Sequence, residues 1–516
     1  MNVSKSVGIS RRRAFSSGLR RLLWVGLVWL AVVGGSPPVR AEEASDLARR
    51  IDRLVSRKPL AGASVGILVV RARDGRALYA HGADQLLIPA SNQKILTTLA
   101  ALHRFGPTHR FPTRVWAPGA PNEEGRVGGL VVEGGGDPVM NSEDWWRLAA
   151  DLRGQGLRGV EGDLLIDDSL FEGPGWHPSW GRVSARAYHA PVGALTANYG
   201  SFFVSVRPRS EIGAEALVEI DPPISYLRLR NLARTGASSA PPRLSVDRVR
   251  SPGEEGAPAE IVRVEGVTRL GDATDRFPRS VLDPGLYAGS LLAYQLATQG
   301  IQLDGVVQRA SPASEREALL LERPGRTLAE IVQLCMKYSN NSIAETLVKN
   351  MAAYGGEAAE APRRRGDWVN GVRALRAELA ALGIDVGKAR IVDGSGLSLQ
   401  NRLAPRMLVE ALRAARDSFR VGPEFMASMP IADRDGTLEE RLPGGTGRIR
   451  AKTGLLSDAS VTALSGYAER ADGETLLFSI LVNGHSGGSG AAMEAVDRIA
   501  QTLIEAPLPL AAKPAR

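Results

Sequence analysis

The sequence predicts an α/β (α+β) protein: a largely antiparallel sheet flanked by helices, built from both ends of the chain, with a large β-rich block inserted between them. Three observations predict it. Short apolar strands stand near the start, at 64–70, and in a group of three near the end. Apolar residues recur at helical spacing over 91–102 and again in several segments after residue 286. Between about 106 and 285 the texture changes to short β-like runs separated by Gly, Pro and polar turns. The length of 516 residues, 44% of them hydrophobic and 23% charged, suits several globular domains and argues against a disordered chain.

The first 41 residues read as an address. A basic stretch over 11–21 precedes a 12-residue apolar run at 22–33. Gly34-Gly35-Ser36-Pro37-Pro38 then breaks the helix, and Val39-Arg40-Ala41 offers small residues for cleavage. The run is short for a membrane span of about 20 residues. Residues 1–41 are therefore expected to be a cleaved export signal, and the mature chain is expected to have at most peripheral membrane association. Arg12-Arg13-Ala14-Phe15 also resembles a twin-arginine signal; an ordinary basic leader is the alternative. This segment holds seven Lys and Arg and no acid, against a net charge of +8. The near-neutral remainder has no general pull on nucleic acid.

The elements follow in order. Residues 64–70 form a strand, Asp74-Gly75 a turn and 77–80 a second strand; a helix spans 91–102. The inserted block, 106–285, has β-like runs at 129–133, 163–166, 201–206, 216–220 and 260–264. Helices are expected at 287–299, 327–351 and 367–382, strands at 448–451, 461–468 and 474–482, and a last helix at 491–504. The expected division is a discontinuous catalytic domain (42–105 and 286–510), the insertion, and a Pro/Ala-rich tail (511–516).

Three short motifs carry chemistry. Ser91-Asn92-Gln93-Lys94 sets a hydroxyl and an amine three residues apart, which a helix brings to one face. It reads either as a nucleophilic serine favoured near a helix N-terminus, with Lys94 as its base if burial leaves the amine partly neutral, or, taken alone, as an ordinary surface serine and lysine. Ser339-Asn340-Asn341 interrupts an apolar helical pattern. It reads either as a second hydroxyl relaying a proton to a leaving amine, with Asn341 holding a substrate amide, or as a helix break capped by asparagine. Lys452-Thr453-Gly454 follows the strand at 448–451. It reads either as a carboxylate anchor with room for a close substrate backbone, or as an ordinary strand end.

In this order the motifs resemble the S-x-x-K, S-x-N, K-T-G set of penicillin-binding proteins and serine β-lactamases. Glu133-Gly134-Gly135-Gly136-Asp137-Pro138, Tyr188-His189-Ala190-Pro191 and Asp393-Gly394-Ser395-Gly396-Leu397-Ser398 look like the D-alanyl-D-alanine carboxypeptidase/endopeptidase family, the low-molecular-mass class C penicillin-binding proteins. The long gap from Ser91 to Ser339 fits that family's large insertion. The resemblance implies that Ser91 is acylated, Lys94 is its base, Ser339 relays a proton, and Lys452 and Thr453 hold the terminal carboxylate of D-Ala-D-Ala. Backbone N–H groups of Ser91 and Leu455 would form the oxyanion hole, with Gly454 and Asn341 lining the substrate. It further implies a penicillin-binding/β-lactamase-like fold, peptidoglycan stem peptides and cross-links as substrates, β-lactams as inhibitors, and a periplasmic location. Relatives often carry Arg after the D-G-S-G-L-S run, where this chain has Leu399; Arg402 is near. Asp167, Asp168 and Phe171 resemble a substrate-facing segment, or form a turn with an apolar anchor.

Two rival readings have less support. Gly484-His485-Ser486-Gly487-Gly488 matches a nucleophile elbow, but no histidine follows it in the chain. A catalytically weak penicillin-binding scaffold would fit a lost motif, yet all three motifs are present. The single cysteine, Cys335, excludes an intrachain disulfide and a multi-cysteine zinc site; with no H-E-x-x-H or P-loop, no cofactor or metal is expected.

Overall fold

The computed structural model describes residues 39–241, 243–251, 260–311, 313–355 and 364–505. The expected export segment, apart from 39–41, and the expected tail lie outside them.

Both ends of the chain meet in one antiparallel sheet. Its order is Ile449–Leu456, Val461–Glu469, Thr475–Asn483, Ser64–Arg71, Ala77–His81. The last three strands of the chain form a meander, and Thr475–Asn483 pairs with Ser64–Arg71 from Ser64 opposite Asn483 to Arg71 opposite Leu476. Side chains alternate across a strand, so Ser64–Arg71 serves two cores. Val65, Ile67 and Val69 join Leu47, Ile51, Val496 and Ile499, from the helices Val39–Val55 and Ser489–Glu505. Leu68 and Val70 join Leu96, Leu99 and Leu408 on the opposite face. Burial on both sides explains the unbroken apolar run of this strand.

The second face supports the helices that position the site. Gln93–Phe105 is buried along most of its length and is packed by Leu328–Lys337, Asn341–Ala353, Trp368–Ala381 and Pro405–Asp417. The single helix expected over 327–351 is two. Thr327 and Glu330 form a capping box that starts the first, and Tyr338 ends it. Ser339 takes a left-handed φ of 56°, and the Asn340 side chain accepts from the Ile343 N–H at 3.0 Å to start the second. Asparagine favours such a cap over a helix interior, because its side chain competes for backbone groups.

The inserted block has its own apolar core. The strand Ala318–Arg323 pairs antiparallel with Thr113–Ala117, so the chain enters and leaves this block side by side. The helix Pro284–Thr298, expected with the catalytic part from residue 286 on, packs in this second core through Tyr287, Leu291, Leu292 and Leu296. Gly289 lies so close to the strand Leu164–Asp167 that an added Cβ would meet Ile166 Cδ1 at 2.6 Å. The second core thus runs to about residue 323 rather than ending at 285. The block is also less purely β than its texture suggests. Ser142–Gly154 is a helix, started by a capping box between Asn141 and Asp144.

Candidate active site

Ser91, expected as the first residue of a helix, sits instead in the 3₁₀ turn Ala90–Asn92 that leads into the helix Gln93–Phe105. Ala90 is fully buried with φ 47°, a left-handed conformation rare for a residue with a Cβ. Two other elements close on this turn, each through a glycine. A Cβ on Gly396 would meet the Ala90 carbonyl oxygen at 1.8 Å, and one on Gly454 would meet Ala90 Cβ at 3.1 Å. Asn92 adds a tie, donating from Nδ2 to the Lys452 carbonyl at 3.1 Å.

Lys94 is completely buried and its ammonium has three partners. Nζ lies 3.0 Å from Ser91 Oγ, 2.7 Å from Asn341 Oδ1 and 2.7 Å from the Ser395 carbonyl oxygen. Burial lowers its pKa to about 8, against the opposing pull of Cys335, Asp393 and Glu345. A lysine poised there is partly neutral near physiological pH and can accept a proton from the adjacent hydroxyl. Asn341 donates its Nδ2 to the Tyr188 carbonyl at 2.9 Å, so the inserted block helps to hold this amide.

Ser339 reaches the same site from the bend between the two helices. Its Oγ accepts from Lys452 Nζ at 2.8 Å, and Lys452 also donates to the Thr453 carbonyl at 2.8 Å. Lys452 is completely buried, and burial followed by Lys94 holds its pKa well below the usual lysine range. The strand expected over 448–451 continues to Leu456, so Lys452, Thr453, Gly454 and Leu455 all lie within the sheet's edge strand. Thr453 Oγ1 donates to Thr437 Oγ1 at 2.8 Å, and the Leu455 side chain is exposed.

The Asp393–Ser398 segment completes the surroundings of Lys94, and two buried carboxylates build it. Asp393 accepts from the N–H groups of Gly396 and Ser398 at 2.8 and 2.7 Å, and from Trp180 Nε1 of the inserted block at 2.9 Å. Glu345 accepts from the N–H groups of Gly394 and Ser395 at 3.1 and 2.8 Å and from Trp368 Nε1 at 2.9 Å. Burial, then Asp393, pushes the Glu345 pKa up to about 7. Asp393, through the Gly396 N–H, thereby holds the peptide group whose carbonyl receives Lys94, and Glu345 holds the two peptide groups before it.

Motif reading missed Asn92, Glu345, Ser395 and Thr437. Glu345 had a sequence signal: it lies four residues after Asn341, on the same face of an apolar helix. Thr437 had none. Other singled-out residues have structural partners. Asp168 pairs with Arg309 and Asp167 with Arg316, while Phe171 packs against the catalytic core. Arg402 donates to the Leu399 carbonyl at 2.7 Å. Ser486 donates to the Pro59 carbonyl at 3.3 Å.

The D-Ala-D-Ala carboxypeptidase 3 (S13) family model matches residues 47–503. A D-alanyl-D-alanine carboxypeptidase of Actinomadura sp. (strain R39) is 34% identical over 520 residues, covering 96% of this chain and 92% of the relative. The D-alanyl-D-alanine carboxypeptidase DacB of Haemophilus influenzae is 25% identical, covering 90% and 93%. Among solved structures, penicillin-binding protein 4 (dacB) of Haemophilus influenzae matches with a TM-score of 0.71 and 23% identity, over 89% of this chain and 98% of that one. The fold is the penicillin-binding one, with its mixed α/β sheet and helices.

Proposed function

The chain belongs to the D-Ala-D-Ala carboxypeptidase 3 (S13) family, and on that premise we propose that it is a serine D,D-peptidase acting on peptidoglycan. It removes terminal D-Ala from stem peptides and cuts D-Ala–meso-diaminopimelate cross-links through an acyl-enzyme. Lys94 takes the Ser91 proton as Oγ attacks the carbonyl of the penultimate D-Ala. N–H groups of Ser91 and Leu455 stabilise the oxyanion, a contribution of about 10²–10³ in rate per donor. The C–N bond breaks as Ser339 gives its proton to the leaving nitrogen, and Lys452 resupplies that hydroxyl. The proton taken by Lys94 passes on to recharge Lys452; water then adds to the ester and gives a proton to the neutral Lys94, and that proton goes to Ser91 Oγ as the acid departs.

Lys452 and Thr453 hold the terminal carboxylate. An arriving anion favours the charged form of Lys452, so the lowered pKa of the empty site is compatible with this role. Asn341 keeps a second Nδ2 hydrogen for the substrate amide, and Gly454 keeps the edge strand close to it. A β-lactam acylates Ser91 by the same route. Residues 1–41 have the layout of an export signal, which supports delivery to the periplasm.

The observation that carries this reading is the 3.0 Å contact between Lys94 Nζ and Ser91 Oγ, with the Ser339–Lys452 pair attached through Asn92 and Asn341. Ser91→Ala is expected to abolish both labelling by fluorescent penicillin and D-Ala release while the protein stays folded. Stoichiometric labelling of that variant would refute the assignment.

A further inference from the structure

The cleft continues past Ser339. A cavity of about 410 Å³ opens between the bend that carries Ser339 and the inserted block. Ser339 and Asn341 line it, whereas Ser91, Lys94 and Lys452 are not among its lining residues. Its other walls include four aromatic rings, Tyr188, Tyr199, Phe203 and Tyr338. Tyr338 is 69% exposed, Tyr188 46% and Phe203 41%. Large rings left in water around one concavity are available to pack against a ligand.

Backbone strain singles out the same place. Seven non-glycine residues among those described have positive φ, and three of them line this cavity: Asn198 (49°), Tyr199 (61°) and Ser339 (56°). Such conformations persist only where the surroundings over-determine them, and they cluster at ligand clamps and reaction centres. Asn198 is held in this way by Ser142, whose N–H it accepts at 2.9 Å and whose hydroxyl accepts from its Nδ2 at 2.9 Å.

The reaction indicates which part of a substrate reaches the cavity. Ser91 keeps the acyl half, and Ser339 faces the leaving nitrogen. A space that begins at Ser339 and does not touch Ser91 lies on the leaving side of the scissile bond. A departing D-Ala ends at the carboxylate held by Lys452 and leaves this space unused. A leaving amine that belongs to a second stem peptide brings more chain, which must pass beyond Ser339. We propose that the cavity is the subsite for the leaving strand of a cross-linked stem peptide, with its rings packed against the methylene chain of the diamino acid. No lysine or arginine lines it and Asp221 is its one carboxylate, so the carboxylate beside the leaving nitrogen stays with Lys452 and Thr453 and the strand's other carboxylates point out to water. This inference rests on the peptidase reading above and names a substrate part for that site.

Phe203→Ala and Tyr338→Ala test it, with Phe203→Leu as a milder change that keeps apolar bulk. Each purified variant is assayed on an uncross-linked pentapeptide muropeptide and on a D-Ala–diaminopimelate cross-linked dimer, with fluorescent penicillin acylation reporting an intact Ser91. The expected result is a loss in kcat/KM of about five- to tenfold on the dimer for each Ala variant, and a smaller loss for Phe203→Leu. Penicillin acylation and D-Ala release stay within about twofold of the parent. Equal losses on both substrates, or an unchanged rate on the dimer, overturn the proposal. So does a parent enzyme that releases D-Ala but leaves dimers intact. A parent that is neither acylated nor releases D-Ala refutes the peptidase reading itself.

Discussion

Two serine–lysine pairs furnish the site, and they are made in different ways. Ser91 and Lys94 are three residues apart and come together on one turn of chain; Ser339 and Lys452 are 113 residues apart and meet only through the fold. Each pair is tied to the other by an asparagine close to its serine. Asn92 donates to the Lys452 carbonyl, and Asn341 accepts from Lys94. Both lysines are completely buried, yet their electrostatic surroundings differ. Lys94 is near the carboxylates Asp393 and Glu345, which oppose the effect of burial and leave it at about 8. Lys452 has cations as neighbours, Lys94 and then Arg441, which add to the effect of burial. On the proposed mechanism the same side chain is a resting base in one pair and, in the other, an amine that an incoming carboxylate charges. Surroundings rather than residue type divide the labour.

Removing one lysine at a time separates the two pairs most strongly. Lys94→Ala is expected to slow acylation of Ser91 by about 10³-fold, within the range for loss of a general base. Stopped-flow acylation by a chromogenic β-lactam measures it, and a near-normal rate would show that another group serves as base. Lys452→Ala is expected to cost about 10²-fold in kcat/KM on peptides ending in a free D-Ala carboxylate. The same peptides with a C-terminal amide should lose much less. Equal losses on the two series would mean that Lys452 acts through Ser339 and not as an anchor.

A smaller effect sharpens the contrast in electrostatics. Acylation requires neutral Lys94, so the rate should rise with pH and level off above about 8. Glu345 favours the charged form of Lys94, and Glu345→Gln removes that influence. The inflection should then move to lower pH, while the rate plateau falls by about tenfold because the Gly394–Ser395 backbone that leads to the Ser395 carbonyl is less well held. A plateau that falls with no shift in the inflection would leave Glu345 a role in packing only.

Much of this could be read from residues in order. The S-x-x-K spacing brings hydroxyl and amine together by helical geometry, and the apolar run at 64–70 already marks a strand buried on both faces. The sequence pattern ends the strand at 451, just before K-T-G, whereas the strand runs on to Leu456, because element ends are where local pattern decides least. The residues at 339–341 allow both a helix break and a relay; the structure has the break, with Asn340 as cap and Ser339 turned toward Lys452. Sequence order groups the helix Pro284–Thr298 with the catalytic part, yet it packs in the core of the inserted block, since an apolar face does not say which surface it will cover.

Local order was enough for the Ser91–Lys94 pair and for the alternation that builds each strand, because those contacts lie within one turn or one pleat. Packing decided the rest. The left-handed φ of Ser339, the Glu345 grip on Ser395, the burial that lowers both lysines and the aromatic cavity beside Asn341 each join segments far apart in the chain. The physical reason is that such contacts depend on which faces meet, and hydrophobic period states only that a face must be covered, not by what.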